Sequence, residues 1–251
     1  MPELIHLFSD FGLEGPYIGQ VKAVLGHEAP GAPVVDLVSD APACNPRAAS
    51  YLLAAYDREC REGDVVIGVV DPCVGGERAA LALRVEGCWY VGPDNGLFHA
   101  VIDQGSNDIS AWQIAWRPAR LSASFHGRDL FAPIAARLAL GESPSEKASA
   151  DFDPIHIDKL HRTDWPADST EVVYIDRFGN LITGFRAATL ERKYMIEIDG
   201  QVLASKRTFS DVSPGEAFCY ENANGLLEIA VNQGSAAAYF HLSIGDEVTI
   251  K

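Results

Sequence analysis

At 251 residues, with 47% hydrophobic and 22% charged side chains, the chain can bury a substantial core as one large domain or two modest ones. Its 35 acidic against 20 basic residues give a formal net charge of −15, which opposes nonspecific binding to nucleic acid or to an anionic membrane surface and leaves a cationic small molecule unopposed. The five cysteines are odd in number and contain no Cys-x-x-Cys, so neither a complete disulfide framework nor a zinc knuckle is expected, and a reducing cytoplasm fits. The N-terminus lacks the basic region of a signal peptide and no apolar stretch is long enough for a bilayer, so a soluble protein is expected.

In chain order, residues 4–8 read as a buried strand, 12–16 as a loop, and 17–25 as a helix with Val21, Val24 and Leu25 on one face. Residues 33–38 are the next strand. Asn45 before Pro46 is an N-cap with proline at the first helical position, and the helix runs on to Ala55. A strand over 65–70 completes a β-α-β-α-β series, which predicts a largely parallel sheet with helices on its faces. Residues 142–169 carry Pro, Ser, Asp and Lys with no sustained apolar period and read as a connection. Beyond it, 172–183, 194–198, 218–220, 226–231 and 247–250 are short β-prone runs. The expected fold is therefore an α/β N-terminal domain over 1–165 and a smaller all-β C-terminal domain, sandwich or barrel, over 166–251.

Three clusters of charge stand out. Asp71 and Arg78 flank Gly75-Gly76 directly after the apolar run 65–70, so a carboxylate and a guanidinium leave a buried strand together, where α/β enzymes place their chemistry. An ordinary surface ion pair is the competing explanation, weakened by adjacent glycines that let backbone approach a ligand. His126, in Ser124-Phe125-His126-Gly127-Arg128-Asp129, opens a helical segment and is either structural or a proton handler. Asp176, Phe178 and Asn180 interrupt a strand-like run and fit either a polar turn or recognition of an ammonium and a purine. Asp10 ends the first strand before Phe11-Gly12, as a turn residue or as a ribose acceptor. Residues 91–97, with Asn95-Gly96, read locally as a turn, and 220–237 as a hairpin. No His/Cys/carboxylate cluster has metal-ligand spacing in the sequence.

Taken together, Ser9-Asp10-Phe11-Gly12, Asp71-Pro72-x-Val74-Gly75, Gly92-Pro93-Asp94-Asn95-Gly96, Phe125-His126-Gly127-Arg128-Asp129, Asp176-Arg177-Phe178-Gly179-Asn180 and the 222–237 stretch resemble the S-adenosylmethionine hydrolase (adenosine-forming) family, also called SAM hydroxide adenosyltransferases. The motifs occur in order over nearly the whole chain. Fluorinase and chlorinase belong to the same superfamily. The resemblance implies an α/β domain followed by a β-barrel-like domain, a homotrimer with sites between subunits, S-adenosylmethionine as substrate, and neither metal nor redox cofactor. It also implies that Asp71, Arg78 and His126 are the water-activating triad, with the Asp-to-Arg spacing of 78 − 71 = 7 kept. Asp10 falls on the ribose-binding aspartate. Asp176 and Asn180 fall on groups that hold the methionine amine and the adenine edge, with Phe178 and Phe209 beside the adenine. Tyr17, Asn222, Ala223 and Asn224 lie toward the methionine end, and Asn95, Val231 and Gln233 complete the implied substrate-binding set. Cys73 departs from the usual Gly. A halogenase using chloride or fluoride in place of water, and a SAM-binding sensor without turnover, are the alternatives; a carboxylate at position 71 opposes an anionic nucleophile.

Overall fold

The apolar periodicity of the first half becomes β1 (Ile5–Ser9), α1 (Tyr17–Glu28), β2 (Val34–Val38), α2 (Pro46–Tyr56) and β3 (Val65–Val69) in the computed structural model, which describes residues 2–105, 108–190 and 194–251. β4 (Ala80–Val85), β5 (Cys88–Pro93), α3 (His99–Gln104), β6 (Ile109–Ile114), α4 (Ala132–Ala139) and β7 (Phe152–Pro154) follow. The strands form one seven-stranded sheet in the order β2-β1-β3-β5-β4-β6-β7. The first four are parallel, while β4, β6 and β7 add antiparallel pairings at one side. β1 and β3 are buried at every residue, as strands covered on both faces must be.

Asn45 caps α2 as the sequence predicts, its side chain accepting from the Ala48 N–H at 3.0 Å with Pro46 at the first helical position. α1 and α4 pack on each other, and Val21, Leu25, Ile134, Ala135 and Leu138 share a core with Ile5, Leu7, Val65, Ile67 and Val69. Each fully buried Leu or Ile there contributes roughly 1.5–3 kcal/mol.

Two expectations for this half are corrected. The stretch 142–169 is not only a connection, because β7 pairs with β6 through Ile114–Phe152, Gln113–Asp153 and Trp112–Pro154. A single buried aromatic, Phe152, anchors this strand, and three residues are too few to show a period. Cys60 and Cys88, 28 residues apart, are joined as a disulfide with their Cα atoms 6.3 Å apart, leaving Cys44, Cys73 and Cys219 free. An odd cysteine count hides such a pair, because only the sheet brings the start of β5 beside the loop that precedes β3.

The chain divides after Trp165 into two units. The second comprises β8 (Ser169–Ile175), β9 (Leu181–Arg186), β10 (Met195–Ile198), β11 (Gln201–Ala204), β12 (Ala217–Glu221), β13 (Leu226–Val231), α5 (Ala236–Phe240) and β14 (Thr249–Ile250). Two antiparallel sheets, β12-β13-β9-β8 and β11-β10-β14, share an apolar core that includes Val172, Leu181, Ile196, Leu203, Leu227 and Ile229. Among the described residues the two sheets form no closed barrel. Closure needs continuous ladders around the circumference, whereas single bridges, Ser205–Cys219 and Glu171–Glu247, stand where those ladders would run. α5 also makes this unit not purely β. Among the described residues no helix is long and apolar enough to cross a membrane.

Candidate active site

Because β1 and β3 are parallel and paired Ser9 to Val69, they end at the same edge of the sheet and deliver Asp10 and Asp71 there together. Asp10 Oδ2 accepts from the Cys44 N–H at 3.0 Å, which ties it to the loop before α2. Burial raises its pKa, and the charge of Asp71 adds to the rise against the lowering effect of backbone hydrogen bonds.

Asp71, Arg78 and His126 form a chain of direct contacts. Arg78 Nε donates to Asp71 Oδ2 at 2.9 Å, and Nη2 donates to the same oxygen. Nη2 also lies 3.0 Å from His126 Nδ1. A guanidinium has only donors, so Nδ1 accepts and the neutral imidazole carries its proton on Nε2. Burial, and then the Arg78 charge, depress the His126 pKa and favour that neutral form. The Arg78 and Asp71 side chains are only 9% and 3% exposed. Phe131 lies 5.4 Å from the guanidinium carbon and shields it further. Arg78 Nη1 donates to the Ala79 carbonyl at 3.3 Å, so most of this side chain serves to hold its neighbours. Asp71 Oδ1, by contrast, is buried and has no hydrogen-bond partner among the described residues. An anionic oxygen so placed calls for a proton donor such as water.

Gly75, in the loop after Asp71, joins that loop to another segment of the chain. Gly75 has φ +80°, and a Cβ there would fall 2.1 Å from the Ala123 carbonyl oxygen. The Asp71–Arg78 loop therefore packs backbone to backbone against the segment that carries His126. That segment is braced by Asp129, whose Oδ2 accepts from the Ser122 N–H at 2.8 Å, and continues into a π-helical turn, Gly127–Phe131.

Tyr17 is exposed at the start of α1, with Phe125 at 5.3 Å and Phe11 at 5.9 Å between ring centroids. Asn95 has both ends of its amide committed to backbone, Nδ2 donating to Val70 O at 2.8 Å and Oδ1 accepting from Leu97 N–H at 3.2 Å. It holds the end of β5 to the end of β3. Cys73 is exposed in the same loop as Asp71.

In the second unit Asp176 organises its own turn. Oδ1 accepts from the Phe178 and Asn180 N–H groups, each at 2.9 Å, and Oδ2 accepts from Asn180 Nδ2 at 2.9 Å. Phe178 projects from this turn at 75% exposure, while Asn180 is buried. Gly179 presses on α5: its φ is +82°, a Cβ would lie 2.1 Å from Ser235 Oγ, and its carbonyl accepts from Ala237 N–H at 2.9 Å. Asn222 Oδ1 accepts from the Asn224 and Leu226 N–H groups at 2.9 and 3.0 Å, with Ala223 exposed between them. Phe209 stands edge-on to Phe218 and Tyr220 at 5.1 and 5.6 Å. Val231 is buried at the end of β13, and Gln233 follows it, exposed, with φ +57°.

Glu228 escaped the sequence reading. It is 4% exposed and bonds the Tyr220 hydroxyl through Oε1 and Asn222 Nδ2 at 3.0 Å through Oε2. Burial raises its pKa, and Asp176 adds to the rise, so the two acids are neighbours. The available signal was a single acid inside the apolar run of 226–231. Far from Asp71 along the sheet, His6, Cys60 and Asp64 place one ligand atom each within 4.8 Å of one another, a grouping that separations of 54 and 4 residues do not reveal.

Comparison with known proteins places the chain in a family. Residues 5–148 match the model of the SAM hydroxide adenosyltransferase N-terminal domain and 170–249 that of the C-terminal domain. A protein named (R)-S-adenosyl-L-methionine hydrolase from Thermus thermophilus is 39% identical, covering 98% of each chain. One of the same name from Salinispora arenicola is 34% identical, covering 98% of this chain and 97% of its own. A fluorinase from Actinopolyspora mzabensis is a more distant relative, 24% identical over 98% of this chain and 96% of its own. The crystal structure of an uncharacterized conserved protein from Thermotoga maritima superposes with a TM-score of 0.82 at 27% identity, covering 98% of this chain and 99% of that one.

Proposed function

The chain belongs to the SAM hydroxide adenosyltransferase family, and from that premise we propose that it hydrolyses S-adenosyl-L-methionine to adenosine and L-methionine by attack of an activated water on the ribose 5′ carbon. The oxygen–carbon bond forms as the carbon–sulfur bond breaks, and the sulfonium leaves as a neutral thioether that needs no acid. What the protein must supply is a nucleophile. The observation that carries this reading is the unpartnered buried Oδ1 of Asp71 beside the Arg78–His126 contact. Asp71 accepts the proton of water, His126 Nε2–H donates to the developing hydroxide, and Arg78 holds both groups in place. Keeping the attacking oxygen, the carbon and the sulfur in line contributes roughly 7–11 kcal/mol through orientation. Incubation with S-adenosylmethionine in ¹⁸O-labelled water tests the proposal: labelled adenosine is expected, and a halogenated nucleoside or no turnover would refute it.

Asp10 is proposed to hold the ribose diol and the Asp176–Asn180 turn to hold the methionine amine and adenine edge, with Tyr17, Asn95, Phe178, Phe209, Asn222, Ala223, Asn224, Val231 and Gln233 around the substrate. A ribose contact exists in ground and transition states alike, so Asp10→Ala should mainly weaken binding, whereas His126→Ala should mainly lower turnover. Unchanged affinity of Asp10→Ala by calorimetry would remove Asp10 from the ribose.

The neutral form of His126 is the active one, and its pKa is depressed below 6.5 by burial and Arg78. Protonation at Nδ1 would set two cations against each other. Turnover should therefore stay level as pH falls toward 6.5 and drop only at lower pH; a histidine limb centred above that value in the pH–rate profile would contradict the assignment.

The reaction is proposed to need no metal or redox cofactor, and adenosine should form at an unchanged initial rate in EDTA. Loss of activity that a divalent cation restores would overturn this. The proposed assembly is a homotrimer with sites between subunits, supported by the family resemblance, and a cytoplasmic location is proposed with it; the excess of acid supports neither nucleic acid nor an anionic membrane as a partner.

A further inference from the structure

The edge of the parallel sheet opposite Asp10 and Asp71 carries a second cluster of reactive side chains. His6 lies near the start of β1, Asp64 directly precedes β3, and Cys88 begins β5, so parallel pairing of these strands gathers all three at the N-terminal edge. Cys60 reaches them from the loop before Asp64. His6 and Asp64 are buried, with His6 only 4% exposed, yet His6 Nε2 has no hydrogen-bond partner among the described residues. A ring nitrogen withheld from water and left unbonded costs free energy unless something occupies it.

Nε2 faces Asp64 Oδ2 at 3.5 Å, and the Cys60 sulfur lies within 4.8 Å of both. Cys88 Sγ adjoins Cys60 Sγ and sits 3.7 Å from the Asp64 carbonyl oxygen. For a tetrahedral zinc with nitrogen, oxygen and sulfur ligands, the known bond lengths place ligand atoms roughly 3.3–3.8 Å apart. The His6–Asp64 separation already has that value. Asp64 is also held as metal-binding carboxylates are, Oδ1 accepting from Leu4 N–H at 3.2 Å and Oδ2 from Arg61 N–H at 3.0 Å.

We propose that this is a redox-gated metal site: with the Cys60–Cys88 bond reduced, the Cys60 thiolate, His6 Nε2 and Asp64, already grouped, bind one divalent cation of the zinc class, and the freed Cys88 thiolate turns in as the fourth donor. Reduction by a dithiol, itself oxidised to a disulfide, or by a phosphine with water, which together become the phosphine oxide, gives the sulfurs two electrons and two protons and breaks the S–S bond; metal binding then releases the thiol protons. In the oxidised chain the sulfurs are bonded to each other and the site lacks half its donors. The site is a strand's length from Asp71, so the metal is structural and takes no part in the water attack.

Cobalt(II) is the probe, because tetrahedral thiolate coordination gives it intense visible ligand-field bands and a near-ultraviolet sulfur-to-metal band. The full-length chain reduced with a phosphine should take up one cobalt per chain with both bands, zinc should displace it, and the oxidised chain should show neither. Cys60→Ser and His6→Gln should each weaken uptake by about tenfold or more, a range that even loss of an outer-shell partner reaches. The Cys44→Ser/Cys73→Ser double variant, which removes the exposed thiols, should bind as wild type. Circular dichroism checks the fold of each variant, and half-buried Cys60 keeps the test alive if His6→Gln does not fold. No uptake by the reduced chain, equal uptake by the oxidised chain, or wild-type uptake by the Cys60→Ser variant would overturn the proposal. None of these readouts depends on S-adenosylmethionine turnover.

Discussion

Asp71→Asn should lower the rate of adenosine formation by ~10²–10⁴-fold, the range typical of a general acid–base group, while changing S-adenosylmethionine affinity far less. Asn keeps the approximate shape and one hydrogen-bond acceptor for Arg78, but it cannot take the proton of water. It also leaves the Arg78 guanidinium, 9% exposed, without its counter-charge. Removing one partner of a buried ion pair is destabilising by about 3–5 kcal/mol when nothing replaces it, so the variant must be shown to be folded by thermal melting before its kinetics are read. The same loss of charge eases the electrostatic penalty on an anion beside Arg78 and His126. Chloride should therefore inhibit the variant more than the wild type. A folded Asp71→Asn chain that binds substrate normally and turns it over at the wild-type rate would exclude Asp71 from the chemistry and leave the water without its proton acceptor.

Gly75→Ala should reduce turnover by ~10²-fold by separating two loops that carry the triad. The backbone there has φ +80°, and the added carbon would sit 2.1 Å from the Ala123 carbonyl oxygen, so the Asp71–Arg78 loop and the His126 segment must separate. A shift of about 1 Å between a nucleophile's activator and its partner can cost ~10²-fold. Backbone strain alone is a smaller effect. Gly141→Ala, at φ +94° with nothing within 4 Å of the new carbon, isolates it, and should cost about 1–2 kcal/mol of stability and leave turnover intact. If the two variants had the same kcat, loop-to-loop packing through Gly75 would not be what assembles the triad.

The alternating apolar runs by themselves determine the β-α-β-α-β order of the first half, and Asn45-Pro46 determines where α2 begins, because period, cap and proline act within a few residues. The same locality makes Asp10 and Asp71 legible as strand-end carboxylates. Legibility ends where a contact joins distant parts of the chain. The pairing of Arg78 with His126 across 48 residues, the orphaned oxygen of Asp71 and the role of Gly75 against Ala123 appear only once the two loops are packed together. The Cys60–Cys88 bond and its neighbours His6 and Asp64 are hidden in the same way, since parallel pairing of β1, β3 and β5, and not sequence spacing, brings them to one edge. Glu228 looks like one more strand residue until its burial against Tyr220 and Asn222 is seen. Sequence carries the periodicities that choose elements, while the sheet's register chooses which chemically able side chains meet, and burial then sets their protonation and their unmet hydrogen bonds.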